Sequence, residues 1–287
     1  MEQDLLGATV ILPDLILESN QNQSLEFAGI DDGYFDKLHL QTYPHKISYR
    51  YNSRGFRDQE WPNSYIELQN AIWCVGDSFT VGIGSPIEHT WPWQLSKLSN
   101  QRVINVSMDG ASNQWISRTA KEIINAIGPR RMAIMWSYTH RREHHNSFLN
   151  DRLRRLHFIK STTEQDWDNF LSCKSKVESD VQHLVQFTIP NFHNIDVDSI
   201  WNEIKGKNWP AKPPTNVLEL NALPQQILDE IKNLHNCFDK MLDFLKISQN
   251  QFGVIPVTQQ DIARDGHHFD LITAEWVARQ AAQHLAC

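Results

Sequence analysis

Cysteine is scarce in this chain of 287 residues, and its four cysteines lie far apart in the sequence. They form no Cys-x-x-Cys pair, and widely separated thiols are typical neither of a zinc site nor of a disulfide framework. We therefore expect reduced thiols, as in a cytoplasmic protein. The four are Cys74, Cys173, Cys237 and Cys287.

The sequence also lacks an excess of basic residues and any long apolar run. Its net charge is −7, whereas nucleic-acid binding favours a basic surface. No apolar run approaches the roughly 20 residues that span a bilayer. Residues 1–17 have no basic start and are interrupted by Asp4, Pro13 and Asp14, unlike a signal peptide. The sequence thus predicts no nucleic-acid partner, no membrane span and a cytoplasmic location.

Short apolar runs separated by helical patterns indicate the fold class. Residues 71–75, 103–106 and 132–136 have the pattern of buried parallel strands. Helical patterns at 90–98 and 115–127 lie between them. Alternating strands and helices predict βαβ units and an α/β fold with a parallel sheet.

The rest of the chain predicts a single domain, 1–287, with additions to this sheet. Residues 1–45 indicate an irregular N-terminal arm. Residues 150–253 form a predicted elaborated region, in which 190–224 is a cap over the edge or mouth of the sheet. Further strand or helix patterns cover residues 47–51, 163–180, 184–189, 225–245 and 271–285.

The segment Gly76-Asp77-Ser78-Phe79-Thr80 directly follows the first predicted strand. Active sites of open α/β sheets collect at the carboxyl edge, where a strand-to-loop turn exposes a serine hydroxyl and its own backbone N–H. Ser78 is therefore a candidate nucleophile, and Gly76 allows the sharp turn. The alternative is that Asp77 and Ser78 only cap a helix or loop.

A second polar group precedes the last predicted helix, in Ala263-Arg-Asp-Gly-His-His-Phe-Asp270. A nucleophilic serine needs a base, usually a neutral imidazole, and the imidazole needs a carboxylate on its far nitrogen. Asp265 and His268 can supply both from one loop, with His267 as the alternative base. If the pair has no catalytic role, Asp265 instead caps the last helix.

Taken in order, these blocks resemble those of the SGNH/GDSL hydrolase family. The segments that carry the resemblance are Gly76-Asp-Ser-Phe79, Asp265-Gly-His-His268, Asn52-Ser-Arg-Gly-Phe-Arg-Asp58 and Asn105-Val-Ser-Met-Asp-Gly110. The resemblance covers residues 47–140 and 254–285. It implies a flavodoxin-like three-layer α/β/α sandwich and esterase or acylhydrolase chemistry without a cofactor. It also implies that the Gly110 N–H helps to form the oxyanion hole.

One block of the family is absent from this chain. Where the family has Gly-x-Asn-Asp after a strand, this chain has Trp136-Ser-Tyr-Thr-His-Arg-Arg142. The asparagine that donates to the oxyanion is thus missing, and losing one such donor typically costs on the order of 10²–10³ in rate. The candidate donors are the backbone N–H groups of Ser78 and Gly110 and the side chains of Asn113, Ser137 and Thr139.

Positive charge and aromatic residues indicate where a substrate binds. His140-Arg-Arg-Glu-His-His145 begins at the end of a predicted strand, so Arg141 and Arg142 are candidates for recognising an anionic group. The alternative is a solvated loop with local ion pairs. Trp201 and Trp209, in the predicted cap, are candidates for a wall of the acyl site. The histidine spacing is not diagnostic of a metal site, and no metal is expected.

Together these patterns predict a serine hydrolase that acts on a small-molecule or glycan ester, or a thioester, through an acyl-Ser78 intermediate. The same residues allow two alternatives. The first is transfer of the acyl group to a sugar or another alcohol instead of water. The second, which the missing asparagine permits, is an inactive binding module on the same fold.

Overall fold

The computed structural model describes residues 15–26, 43–139, 141–143, 163–178, 180–188, 191–192, 210, 224–227 and 253–286. The strands are β1 (Ser24–Glu26), β2 (Ser48–Arg50), β3 (Ile72–Gly76), β4 (Val103–Ser107), β5 (Arg131–Met135), β6 (His183–Phe187), β7 (Asn191–Phe192) and β8 (Thr258–Gln259). The α-helices are α1 (Tyr65–Asn70), α2 (Ser78–Val81), α3 (Trp91–Ser99), α4 (Asn113–Ile127), α5 (Thr163–Glu178) and α6 (Leu271–His284).

Four parallel strands form the central sheet, in the order β4-β3-β5-β6. Beyond β6 the chain adds a further parallel contact at Ile255, whose N–H donates to the Gln186 carbonyl at 2.8 Å. With that segment as the fifth position, the order is the 2-1-3-4-5 of flavodoxin-like sheets. The predicted parallel α/β architecture is therefore confirmed.

The sheet is buried on both faces because β3 alternates its side chains between two hydrophobic cores. Trp73 and Val75 pack in one core with residues of α1, α4 and α5. Ile72 and Cys74 pack in the other with residues of α3 and α6. This arrangement is the expected three-layer sandwich. None of the helices in the described part of the chain has both the length and the apolar character needed to cross a membrane.

Residues 15–26, within the predicted irregular arm, form more regular structure than expected. A 3-10 turn at Glu18–Asn20 leads into β1, which pairs antiparallel with β2. Leu15 and Leu17 are buried in the core that contains Trp73. The sequence hides this strand because it has three residues and follows a polar stretch of Asn and Gln.

The predicted cap falls almost entirely outside the described residues. Of residues 190–224, the structure describes 191–192, 210 and 224, and residues 191–192 form β7, which pairs parallel with β8. Trp201 and Trp209 lie outside the described residues. Of the predicted helix 225–245, residues 225–227 are described and are helical.

Candidate active site

The turn after β3 places Ser78 at the carboxyl edge of the sheet. A Cβ on Gly76 would lie 2.1 Å from Thr80 Oγ1, so this position needs glycine. Asp77 caps α2, with its Oδ1 accepting a hydrogen bond from the Phe79 N–H at 3.1 Å. Ser78 is the first residue of α2 and is buried. A short helix thus begins at the serine, and first-turn N–H groups have no partner within their own helix.

A hydrogen-bonded chain links Ser78, His268 and Asp265. The Oγ of Ser78 lies 2.8 Å from Nε2 of His268, and Nδ1 of the same ring bonds to Oδ2 of Asp265. The other carboxylate oxygen, Oδ1, accepts the backbone N–H groups of His267 and His268, each at 3.0 Å. Of the two neighbouring histidines, His268 is therefore the one that bridges the serine and the acid.

Electrostatics in this chain of contacts favour an ionised Asp265. Burial by itself would raise the pKa of Asp265, but the charge of His268 and the hydrogen bonds from its ring and from two backbone N–H groups outweigh it. The net effect is a pKa below the ordinary value. An ionised carboxylate at Nδ1 can fix the imidazole tautomer and balance an imidazolium.

Direct packing joins the serine turn to the histidine loop. The Phe79 ring lies 4.4 Å from the His268 ring, centroid to centroid. Gly84 has φ of +79°, and a Cβ there would lie 2.9 Å from Oδ1 of Asp265. The Gly84 carbonyl also accepts the Arg264 N–H at 3.0 Å. Side chain and backbone contacts therefore both set the distance between Ser78 and His268.

Two backbone N–H groups are available as anion donors at this edge. Ser78 and Gly110 follow the parallel strands β3 and β4, whose carboxyl ends share one side of the sheet. Gly110 adopts φ of +71°, in the left-handed region. Within the described residues, neither N–H donates a hydrogen bond to another group.

The predicted side-chain donors of the oxyanion hole make other contacts in the structure. Asn113 binds both backbone groups of one residue: its Nδ2 donates to the Ser137 carbonyl at 3.0 Å, and its Oδ1 accepts the Ser137 N–H at 2.7 Å. The Ser137 hydroxyl donates to Oδ2 of Asp77 at 2.7 Å. Thr139, two residues after Ser137 in the same loop, is buried. The structure thus brings Ser137 to the acid beside the nucleophile and turns Asn113 towards the loop after β5.

The two arginines expected at the substrate contact protein groups. Arg141 Nη1 lies 3.2 Å from Oδ2 of Asp77. Arg142 is buried, forms an ion pair with Asp166 of α5 and donates to the Thr139 carbonyl. Both side chains therefore hold the loop after β5 in place, Arg141 against the nucleophile turn and Arg142 against a helix.

Arg57 supports the serine turn, and sequence reasoning assigned it no role. Its guanidinium is buried and donates to backbone carbonyls at the end of α2 and in the turn after it, among them Val81 at 3.1 Å and Ser85 at 2.8 Å. It also lies over the Tyr49 ring, 4.2 Å from the centroid. The available signal was its place in the segment 52–58, which resembles the family's upstream block.

A second polar cluster, formed by His45, His89 and Asp270, has residue types that suit a metal ion. Their potential ligand atoms lie within 4.8 Å of one another. Asp270 already accepts hydrogen bonds from protein groups, with His89 Nδ1 at 2.6 Å and the Tyr43 hydroxyl at 2.6 Å. Burial and the bond to Asp270 raise the pKa of Tyr43 far above its usual range, so the phenol remains a donor. These contacts are separate from the Ser78–His268 pair.

Comparison with known proteins finds likenesses among solved structures. No family model matches the chain, and no curated protein matches it. A lipolytic protein of the G-D-S-L family from Desulfitobacterium hafniense DCB-2 is 13% identical, with 75% of this chain and 98% of that chain covered and a TM-score of 0.40. TesA is 15% identical, with 75% and 99% covered and a TM-score of 0.43.

A third similar structure is the psychrotrophic esterase EstA from Pseudoalteromonas sp. It is 13% identical, with 76% of this chain and 97% of that chain covered and a TM-score of 0.39.

Proposed function

We propose that this protein is a serine hydrolase that cleaves a carboxylic ester, or a thioester, through an acyl-Ser78 intermediate. The observation that carries the proposal is the hydrogen-bonded chain from Ser78 Oγ through the His268 ring to Asp265. Its members have the residue types and the order that nucleophilic serine catalysis requires. The proposed substrate is a small-molecule or glycan ester.

In the first step, His268 Nε2 accepts the Ser78 proton as Oγ attacks the acyl carbon. Asp265 remains ionised and balances the imidazolium that forms. As the tetrahedral intermediate collapses, the ester bond breaks and the imidazolium gives its proton to the leaving alcohol or thiol. The acyl group is then bound to Ser78, and the imidazole is neutral again.

The Ser78 and Gly110 backbone N–H groups are the proposed donors to the oxyanion. Two observations support them: each residue follows a strand at the same sheet edge, and neither N–H has another acceptor within the described part of the chain. Preorganised donors of this kind act where negative charge develops in the transition state. The Ser137 hydroxyl, already donating to Asp77, acts instead through the nucleophile turn.

In the second step, water takes the place of the leaving alcohol. His268 removes a proton from the water, and the resulting oxygen attacks the acyl-Ser78 carbonyl. Collapse of this intermediate releases the acid and returns the proton to Ser78. The same residues therefore serve both half-reactions, with His268 first as base and then as acid in each.

A series of p-nitrophenyl esters, from acetate to laurate, tests the proposal. We expect measurable turnover by the wild type and a fall in kcat on the order of 10⁴–10⁶ in Ser78→Ala, the scale seen when a nucleophilic serine is removed. Ser96→Ala is the matched control, because the Ser96 hydroxyl bonds to the Gln101 carbonyl away from this site. It should keep wild-type kinetics.

Equal turnover by wild type and Ser78→Ala would contradict the proposal. If neither protein turns over any ester while both remain folded, the assay is repeated with an added alcohol acceptor and an acyl donor. Product formation that depends on the acceptor would then indicate acyl transfer in place of hydrolysis.

A further inference from the structure

We propose that Arg141 is a positioning residue for the nucleophile: by holding the Asp77 carboxylate, it fixes the turn that carries Ser78 and keeps a negative charge near His268. This inference rests on the proposed function. It assigns a role to the segment that stands where the family has Gly-x-Asn-Asp.

Asp77 is the buried centre of this arrangement. Its side chain is completely inaccessible, and both carboxylate oxygens are engaged. Oδ1 accepts the Phe79 N–H at the start of α2, at 3.1 Å. Oδ2 accepts the Ser137 hydroxyl at 2.7 Å and Arg141 Nη1 at 3.2 Å. One oxygen thus holds the helix that begins at Ser78, and the other holds the loop after β5.

Arg141 is itself fixed in this position. Its Nη1 also lies 3.0 Å from the Ser137 hydroxyl oxygen, so a single nitrogen contacts the acid and the hydroxyl that donates to that acid. The guanidinium lies 4.6 Å from the centroid of the Tyr138 ring, and the backbone N–H of Arg141 donates to the Tyr138 carbonyl at 3.2 Å. Its side chain is 16% exposed. Because Arg141 is held in this way, its contact can fix the position of the Asp77 carboxylate as well as favour its charge.

Arg141 also affects the charge of Asp77. Burial raises the pKa of Asp77, and the Arg141 guanidinium is the largest opposing influence, followed by the Ser137 hydroxyl and the Phe79 N–H. The charged or titratable groups that act on Asp77 are Arg141, from the loop after β5, and His268, from the loop before α6. Since arginine remains charged in proteins, its contact favours the carboxylate form of Asp77. That carboxylate caps α2 and places a negative charge near His268.

The test compares Arg141→Gln with Arg141→Lys in kcat, KM and the pH profile of kcat/KM. We expect Arg141→Gln to lower kcat by about 10–100-fold with little change in KM, since a small displacement of a reacting group has this scale of effect. Its acid-side loss of activity should move up by about one pH unit, because Asp77 takes up a proton at higher pH without a neighbouring cation. Arg141→Lys should restore the acid side of the profile.

Arg279→Gln is the matched control, because it removes the same charge from an exposed position on α6. Its profile should overlay that of the wild type. If Arg141→Gln lowers kcat/KM equally at every pH and leaves the acid side of the pH profile unshifted, the proposal is overturned, because loss of packing alone would give that result. Failure of Arg141→Lys to restore the limb would overturn it as well.

Thermal unfolding as a function of pH supplies a readout that needs no substrate. The folded-state pKa of Asp77 is raised, so its stabilising contribution is complete at low pH and is lost as pH rises through that pKa. Arg141→Gln raises the pKa further, so its deficit in Tm relative to the wild type should widen as pH rises above the ordinary pKa of an aspartate. A constant deficit would overturn the ionic role of Arg141. If the wild type hydrolyses no ester, the proposed function fails separately. The Tm measurement still tests whether Arg141 acts on the charge of Asp77.

Discussion

The surroundings of Asp265 favour its ionised form. Its carboxylate is buried, which disfavours charge, yet the His268 ring and two backbone N–H groups lower its pKa. Asp77, which directly precedes Ser78 in the chain, has a raised pKa because burial outweighs the opposing charge and hydrogen bonds. Two buried carboxylates of the same type thus differ because neighbouring charge and hydrogen bonds outweigh burial at Asp265 and do not outweigh it at Asp77.

Asp265→Asn tests the role of this charge at the residue scale. Asparagine keeps the shape but cannot balance an imidazolium, so kcat should fall on the order of 10³–10⁴. The lowered pKa means that Asp265 stabilises the fold above its unfolded-state pKa, and this stability is lost as pH falls through the folded-state pKa. Thermal unfolding between about pH 6 and pH 2 should therefore show an acid loss in the wild type that Asp265→Asn lacks. Wild-type turnover by Asp265→Asn would refute its role.

At the scale of elements, the site is assembled by turns that pack against one another. The turn after α2 contacts the loop before α6 at Gly84, whose positive φ and close approach to Asp265 exclude a side chain. Arg57 holds the same turn from the other side through the Val81 and Ser85 carbonyls. The position of Ser78 therefore depends on contacts among three separate parts of the chain: the turn after α2, the loop before α6 and the segment that contains Arg57.

Gly84→Ala, compared with Gly253→Ala, separates this packing from backbone strain. Both glycines have positive φ, but a Cβ at Gly253 meets no atom of the described residues within 4 Å. Gly253→Ala should cost only the strain of a left-handed alanine, about 1–2 kcal/mol. Gly84→Ala should cost about 1–3 kcal/mol more and should lower kcat/KM, because Asp265 must move.

Urea unfolding and ester kinetics on the two glycine variants provide the measurement. Equal losses of stability, with equal activity, would show that the contact between Gly84 and Asp265 does not set the site's geometry.

At the scale of the whole molecule, the parallel sheet brings together residues that lie 190 positions apart in the chain, Ser78 and His268. Strand β3 supplies the turn with the nucleophile, and β5, its neighbour, supplies the loop with Ser137 and Arg141. The chain places β4 on one side of β3 and then β5 on the other, so the strand order reverses at β3. Open α/β folds form their binding crevices at such a point. The site therefore follows from topology as much as from motif.

This dependence on topology explains what the sequence could predict. The central strands were visible because continuous apolar runs identify buried parallel strands, and Ser78, Asp265 and His268 stood out in short local motifs. The contacts of Arg57 and Arg141 could not be read in this way. Each acts on a turn far away in sequence or across the sheet. The segment 52–58 and the basic run that contains Arg141 draw attention to these arginines but do not indicate which groups they contact. The short strand β1 was missed for a related reason, since it is defined by its partner β2.

Labelling with a fluorophosphonate, followed by intact-mass measurement and peptide mapping, tests whether Ser78 is an activated nucleophile. A serine activated by a neighbouring imidazole attacks phosphorus, so the account predicts one adduct, on Ser78, that is absent from Ser78→Ala. His268→Gln should label far more slowly than His267→Gln, because His268 Nε2 bonds to the Ser78 hydroxyl. A folded wild type that forms no adduct, or forms it on another residue, would contradict the account.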